Sequence, residues 1–304
     1  MQDTNTEIIN KIIDLKAKQK AVILVHNYQL GEVQDIGDFV GDSLELSQQA
    51  AKTTAEVIVF CGVHFMAETA SILCPDKIIL LPDLNAGCPM ANMVNAQQLI
   101  ARKKELPGYV VVTYINSTAE VKSESDICCT SSNAERVVKS LGDKNILFIP
   151  DQYLGAYTSL KTGIKMEYWP GYCPTHARIR PEDILRAKKY HPQAIVFAHP
   201  ECRPETSSLA DYVLSTGGML RQVRSSNVKE IIVATEVGII HRLKKENPDK
   251  IFIAASEQAV CPRMKLITLD KILESLETLS PLVTVPESIR VKAKKAVERM
   301  LEIG

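Results

Sequence analysis

The chain offers little on which a charge field, a membrane anchor or a disulfide scaffold could be built. Its 36 Lys and Arg balance 36 Asp and Glu, so no net charge favours nucleic acid or an anionic membrane surface as a partner. No apolar run approaches the roughly 18–20 residues that cross a bilayer, and runs such as Val57–Cys61 and Ile78–Leu81 have strand length. The opening stretch, Met1-Gln-Asp-Thr-Asn-Thr-Glu7, lacks the basic start and apolar core of a secretory signal, so a cytoplasmic protein is expected. Also missing are the closely spaced Cys-x-x-Cys pairs of structural zinc sites. Eight cysteines are nevertheless present, at 61, 74, 88, 128, 129, 173, 202 and 261. In a reducing compartment these point to metal binding, catalysis or simple packing before disulfides.

What is present is an internal repeat. Three cysteines precede proline in similar segments, Asn85-Ala-Gly-Cys88-Pro, Pro170-Gly-Tyr-Cys173-Pro and Gln258-Ala-Val-Cys261-Pro, spaced 85 and 88 residues apart. A fourth Cys-Pro, at Cys74, lies outside this register, so the dipeptide alone proves little. Apolar runs ending in His26, Tyr114 and His199 recur at separations of 88 and 85. So do the hydroxyl residues Ser43, Ser131 and Thr216, each ahead of helix-like sequence. A second set of apolar strands begins at Val57, Ile146 and Ile231. A third precedes Cys88 and Cys261, with Met166-Glu-Tyr-Trp169 as a weaker strand in the middle copy. Several features sharing one offset indicate repetition.

Continuous apolar strands alternating with helical patterns imply short parallel sheets covered on both faces, with ligand-facing loops at their carboxyl ends. The expected fold is α/β, with three pseudo-symmetric three-layer α/β/α sandwich domains around a central site. Their expected extents are 21–106, 107–191 and 192–280, with terminal helical segments at 1–20 and 281–304. Pseudo-threefold symmetry would gather Cys88, Cys173 and Cys261 on one axis. Three thiolates suit a four-iron cluster that leaves one iron open to substrate as a Lewis acid. A Cys-Pro turn that merely recurs with the repeat is the alternative. Cys61, Cys74, Cys128, Cys129 and Cys202 read as buried filler, since neighbours such as Cys128 and Cys129 face opposite sides of a strand.

The motifs His26-Asn-Tyr28, Gly41-Asp-Ser43, Gly87-Cys88-Pro-Met90, Thr113-Tyr114-Ile-Asn116, Cys129-Thr-Ser131, Gly171-Tyr-Cys173-Pro-Thr-His176, His199-Pro-Glu201-Cys202, Ser215-Thr216, Ala234-Thr-Glu236 and Cys261-Pro262 together resemble the quinolinate synthase family. The likeness covers nearly the whole chain in order. It implies a transferase of NAD biosynthesis carrying a [4Fe-4S] cluster, which condenses iminoaspartate with dihydroxyacetone phosphate and releases phosphate and two waters. It places the cluster ligands on Cys88, Cys173 and Cys261, and implies L-aspartate oxidase or aspartate dehydrogenase as functional partner.

The chemistry of that reaction assigns further roles. Ser43, Ser131 and Thr216 at helix starts suit phosphate or carboxylate. Asn116 and His199 suit carboxylate contact, Tyr28 and Tyr114 can donate to an oxyanion or pass a proton, and His26 at a strand end is a candidate catalytic and substrate-binding group, with a structural histidine as the alternative. Glu201, two residues after His199, is the candidate base. His176, Glu236, Arg263 and Met264 lie near these motifs as supporting groups or as packing. An iron–sulfur redox sensor and a non-catalytic small-anion binder are the competing classes. The first would more naturally use four cysteines and needs no array of phosphate-binding hydroxyls, and the second would bind ligand without turnover and without iron.

Overall fold

Three groups of β-branched, apolar runs build three separate sheets. The structure, a computed structural model, describes residues 2–303. The first sheet contains β1 (Ala21–His26), β2 (Phe39–Gly41), β3 (Val57–Cys61) and β4 (Ile78–Leu80). The second contains β5 (Val110–Tyr114), β6 (Ile127–Cys129), β7 (Ile146–Ile149) and β8 (Glu167–Tyr168). The third contains β9 (Ile195–Ala198), β10 (Tyr212–Val213), β11 (Glu230–Ala234) and β12 (Ile251–Ala254). All pairings between these strands are parallel, and each sheet has the spatial order second, first, third, fourth. The α/β architecture expected from the repeat is therefore present three times over.

That order positions the site. From β1 the chain crosses to β2 on one side and then to β3 on the other, and the same reversal occurs at β5 and β9. Ligands bind at such switch points, beyond the carboxyl ends of the strands. The strand interiors are buried on both faces, which is why they carry no polar alternation; all five residues of β3 are buried. The middle sheet's last strand is only two residues long, as the polar Glu167 in its run foretold.

The helices tie the sheets together in a ring. Helix Ala96–Glu105 follows the first sheet in sequence but buries Leu99 with Val111, Val121, Leu147 and Ile149 of the second unit. Helix Pro181–Tyr190 follows the second sheet but buries Ile184 and Ala187 with Val196, Ile232 and Ala234 of the third. Helix Leu269–Thr278 follows the third sheet and returns to pack on β3 and on the N-terminal helix Gln2–Lys18. Each unit thus lends a helix to the next. The C-terminal helix Glu287–Ile303 seals the second sheet along β6, burying Ala296, Val297 and Met300, and Asn133 Nδ2 donates to its Met300 carbonyl at 3.1 Å.

Because the apolar faces are shared around the ring, the three units should lose stability together. Urea unfolding of the apo chain should be one transition followed alike by fluorescence and circular dichroism. Leu99→Ala should lower its midpoint by the equivalent of about 2–5 kcal/mol. Separate transitions for the three sheets would contradict the shared packing.

Candidate active site

The loops beyond the strand ends are stitched to one another. Asp42 caps helix Ser43–Lys52, accepting the Leu44 and Glu45 N–H groups at 3.0 Å, while Glu45 accepts the Asp42 N–H in return. Ser215 caps helix Thr216–Ser225 by accepting the Gly218 N–H at 3.1 Å. Between them stands Ser132, whose Oγ lies 2.5 Å from Asp42 Oδ2 and 2.8 Å from Ser215 Oγ. One residue from each repeat therefore joins a continuous hydrogen-bonded chain. With Asp42 and Ser215 doing the capping, Ser43 and Thr216 occupy the first helical turn without that duty. The Ser43 and Ser131 hydroxyls have no partner among the described residues, and Thr216 Oγ1 accepts from Asn27 Nδ2 at 3.0 Å.

Around this hub lies a pocket with an empty volume of about 670 Å³. Its wall includes the candidate ligand, catalytic and substrate-binding residues His26, Tyr28, Ser43, Cys88, Tyr114, Asn116, Ser131, Cys173, His199, Glu201, Thr216 and Cys261. The three repeats contribute equivalent positions, with His26, Tyr114 and His199 at or just past the ends of β1, β5 and β9.

Glu201 is the electrostatic centre. It is 3% exposed, and its Oε2 lies 2.6 Å from His176 Nδ1 and 3.7 Å from His199 Nδ1. Burial alone would raise its pKa, but its neighbours, His176 foremost and with it the facing Tyr114 phenol, outweigh this and hold the carboxyl below its ordinary range. Asn116 Nδ2 approaches Glu201 Oε1 at 3.5 Å, and Asn116 Oδ1 is buried without a partner, an acceptor free for a ligand. Burial, reinforced by the Glu201 charge, raises Tyr28 and Tyr114 well above the usual phenol range, so both are neutral donors.

A second path leads away from His176. Its Nε2 lies 2.8 Å from Thr235 Oγ1, which is 2.6 Å from the Tyr28 hydroxyl. With Nδ1–H donated to Glu201, Nε2 accepts from Thr235 and Thr235 accepts from Tyr28, a consistent donor order assigned from the network. His26 and His199 follow a different rule. His26 Nδ1 accepts the Tyr28 N–H at 3.2 Å and His199 Nδ1 accepts the Glu201 N–H at 3.3 Å, leaving Nε2–H as each ring's donor. Burial pushes both imidazoles down to about 3, so both are neutral.

The cysteines separate cleanly by exposure. Cys61, Cys74, Cys128, Cys129 and Cys202 are buried, whereas Cys88, Cys173 and Cys261 are partly exposed, and it is these three that line the pocket. Each starts a turn that runs into a short 3₁₀ segment, Met90–Asn92, His176–Arg178 or Met264–Leu266. Proline directly after the cysteine presets the turn, and N–H groups two or three residues on face the sulfur, those of Ala91 and Met90, of His176, and of Met264 and Arg263. Burial nevertheless raises all three thiols, Cys88 to about 12, and Cys88 is raised further by Cys261 and Cys173 by Cys88. Three sulfurs on one pocket wall, each facing backbone donors, with Cys88 interacting with both of the others, form a site that favours thiolate once a cation is bound. They fit an iron–sulfur cluster with three protein ligands.

Two carboxyls shape the cysteine loops from behind. Glu236 Oε1 accepts the Cys261 N–H at 3.0 Å and pairs with Lys265 Nζ at 3.0 Å. Asp151, its counterpart after β7, caps helix Gln152–Thr162 with Oδ1, while Oδ2 is buried and unpartnered. Burial and the Glu201 charge push Asp151 well above the carboxylate range. Gly171 permits the chain to pass this point, since a Cβ there would stand 2.4 Å from the Pro150 carbonyl oxygen.

Sequence reasoning left His176 undecided between support and packing, yet it bridges Glu201, Cys173 and Thr235; its Nδ1 is 3.1 Å from Cys173 Sγ. The signal was its place three residues after Cys173 in a Cys-Pro turn. Thr235 and Lys265 were not singled out. Met264 and Glu236 line the pocket, whereas Arg263 is directed away, donating to the Asn85 carbonyl at 3.3 Å.

The chain is similar to known proteins over nearly its full length. The family model described as quinolinate synthetase A protein matches residues 10–302. The chain is 62% identical over 296 residues to a quinolinate synthase of Dehalococcoides mccartyi, covering 97% of this chain and 98% of that one. It is 55% identical over 302 residues to a quinolinate synthase of Desulforudis audaxviator, covering 99% and 100%. It is 52% identical over 297 residues to one of Methanosarcina barkeri, covering 98% of each. On a match that spans nearly its full length, the chain belongs to the quinolinate synthetase A family.

Proposed function

We propose that the chain forms quinolinate from iminoaspartate and dihydroxyacetone phosphate, releasing phosphate and two waters, a transferase reaction at the pocket just described. The observation that carries this reading is the meeting, in one pocket, of three repeat-related thiols with a buried carboxylate wired to neutral phenols and imidazoles. On this reading Cys88, Cys173 and Cys261 hold a [4Fe-4S] cluster, whose iron without a protein ligand supplies Lewis acidity toward a departing hydroxyl. Iminoaspartate is delivered by an enzyme that oxidises aspartate, an aspartate oxidase or an aspartate dehydrogenase, in the cytoplasm. Residues 21–106, 107–191 and 192–280 act as three units with helical termini at 1–20 and 281–304.

The chain's own groups divide the remaining work. The free hydroxyls of Ser43 and Ser131, with Thr216 at the start of a ten-residue helix, receive phosphate or carboxylate oxygens. His26 and His199 donate Nε2–H and Asn116 presents its free Oδ1. Glu201, kept ionised, takes a proton from substrate carbon, while His176 holds the carboxylate in place by donating Nδ1–H across the 2.6 Å contact. Thr235 and Tyr28 fix the far side of the His176 ring, and Tyr114, facing Glu201, gives a proton to oxygen.

Anaerobic reconstitution should give a brown protein with about four irons per chain that produces quinolinate from the two substrates. Cys88→Ser, Cys173→Ser and Cys261→Ser should each lose the cluster and product formation, whereas Cys61→Ser should retain both. Full activity in all three pocket variants would sink the shared-site reading. Glu201→Gln should lower kcat by about 10²–10⁴-fold while iron content stays that of the parent.

The neutral imidazoles also make a claim about acid. Unfolded histidine titrates near 6.5, whereas buried His26 and His199 stay neutral to about 3. As pH falls from about 6.5 toward 3, the unfolded chain gains protons that the folded chain refuses, and stability is lost. Each contributes a slope of about 1.4 kcal/mol per pH unit. Urea unfolding of the apo chain between pH 6 and 5 should show this loss, and His199→Asn should reduce the slope; an unchanged slope would contradict the neutral assignment.

A further inference from the structure

Lys122 has no place in the chemistry above, yet it is completely buried, 0% exposed, in the short helix Ala119–Ser123. Its Nζ donates to the Ser117 carbonyl and stands 5.4 Å over the Phe65 ring. Among the described residues no carboxylate forms an ion pair with it. An ammonium with three N–H groups and one hydrogen bond is an expensive occupant of a protein interior, and a methionine would fill similar volume without that penalty. The surroundings suggest why it is kept.

One of its contacts belongs to the pocket wall and the other adjoins it. Phe65 lines the pocket directly. Ser117 ends the turn that carries Tyr114 and Asn116, and its own hydroxyl donates to the Tyr114 carbonyl at 2.9 Å. Lys122 therefore sits behind one lining residue, Phe65, and behind the turn that carries two others, Tyr114 and Asn116. Burial lowers its pKa, while Glu68, Cys128 and Cys88 favour the charged form. Of these, Glu68 is engaged elsewhere, accepting the Ala119 N–H at 3.1 Å and lying 3.8 Å from His64 Nδ1.

We propose that Lys122 is a positioning residue whose buried ammonium, held behind Phe65 and the Tyr114–Ser117 turn, balances the negative charge of the loaded site. That charge comes from three thiolates around the cluster and from anionic substrate, so the inference rests on the cluster reading given above. In the apo chain the cation is uncompensated and destabilising. In the loaded chain it is compensated. Removing it should therefore act with opposite sign in the two forms, which a lysine that only fills space would not do.

The test compares the parent chain with Lys122→Met and Lys122→Arg, each studied apo by urea unfolding and reconstituted anaerobically by redox titration and by iron loss to a chelator. Apo Lys122→Met should be at least as stable as the parent. Reconstituted Lys122→Met should lose iron about tenfold faster, and its cluster potential should move to more negative values because a nearby cation no longer favours the added electron. Lys122→Arg should keep the parental potential. Apo Lys122→Met that is less stable or does not fold overturns the proposal in favour of a structural role, as does a reconstituted Lys122→Met with the parental potential. A parent chain that takes up no iron overturns the cluster reading and this proposal with it, an outcome told apart by the parent sample alone.

Discussion

One buried negative charge organises the centre of this protein. Glu201 lies where almost no water reaches, and a carboxylate there persists only if several partners hold it. His176 supplies the shortest contact, the Tyr114 phenol adds to it, and Asn116 reaches its second oxygen. Those partners come from the middle repeat and Glu201 from the third, so the charge can exist only when the loops have converged. Burial keeps Tyr28 and Tyr114 neutral and pushes Asp151 toward the protonated form, and the Glu201 charge reinforces all three effects.

Threefold repetition explains where the site is, and departure from it explains what the site does. Tyr28, Asn116 and Glu201 occupy the same position in the three repeats, two residues beyond His26, Tyr114 and His199. The backbone treats two of these copies alike, since the N–H of Tyr28 and of Glu201 each reaches back to a histidine Nδ1. The side chains offer a donor, an amide and a charge. A symmetric scaffold thus delivers three different functions to one point. The cysteine is the feature that all three copies retain.

Much of this was legible in the sequence because it is written in local and periodic terms. A strand such as Val57–Cys61 announces itself by uninterrupted apolar residues, and a common offset of 85 to 88 residues ties His26, Ser43 and Cys88 to their counterparts. What was not legible depends on packing between distant segments. The apolar stripe of Ala96–Glu105 shows that the helix must cover something, but the stripe cannot say that Val111 and Leu147 of the following sheet are what it covers. His176 was undervalued for a similar reason, because its meaning lies in Glu201 and Thr235, 25 and 59 residues away. Lys122 looked like an ordinary helix lysine, and only its burial distinguishes it.

The lending of helices around the ring has a consequence for how the chain is made. Synthesis proceeds from the N-terminus, and the first sheet is complete in sequence by Leu80. Its outer cover on β3, however, is helix Leu269–Thr278, among the last segments to leave the ribosome. The oldest part of the molecule must wait for the youngest before its apolar face is shielded. The last of the three pocket cysteines, Cys261, lies only eight residues ahead of that helix, so the pocket gains its third cysteine loop just before the first sheet gains its cover.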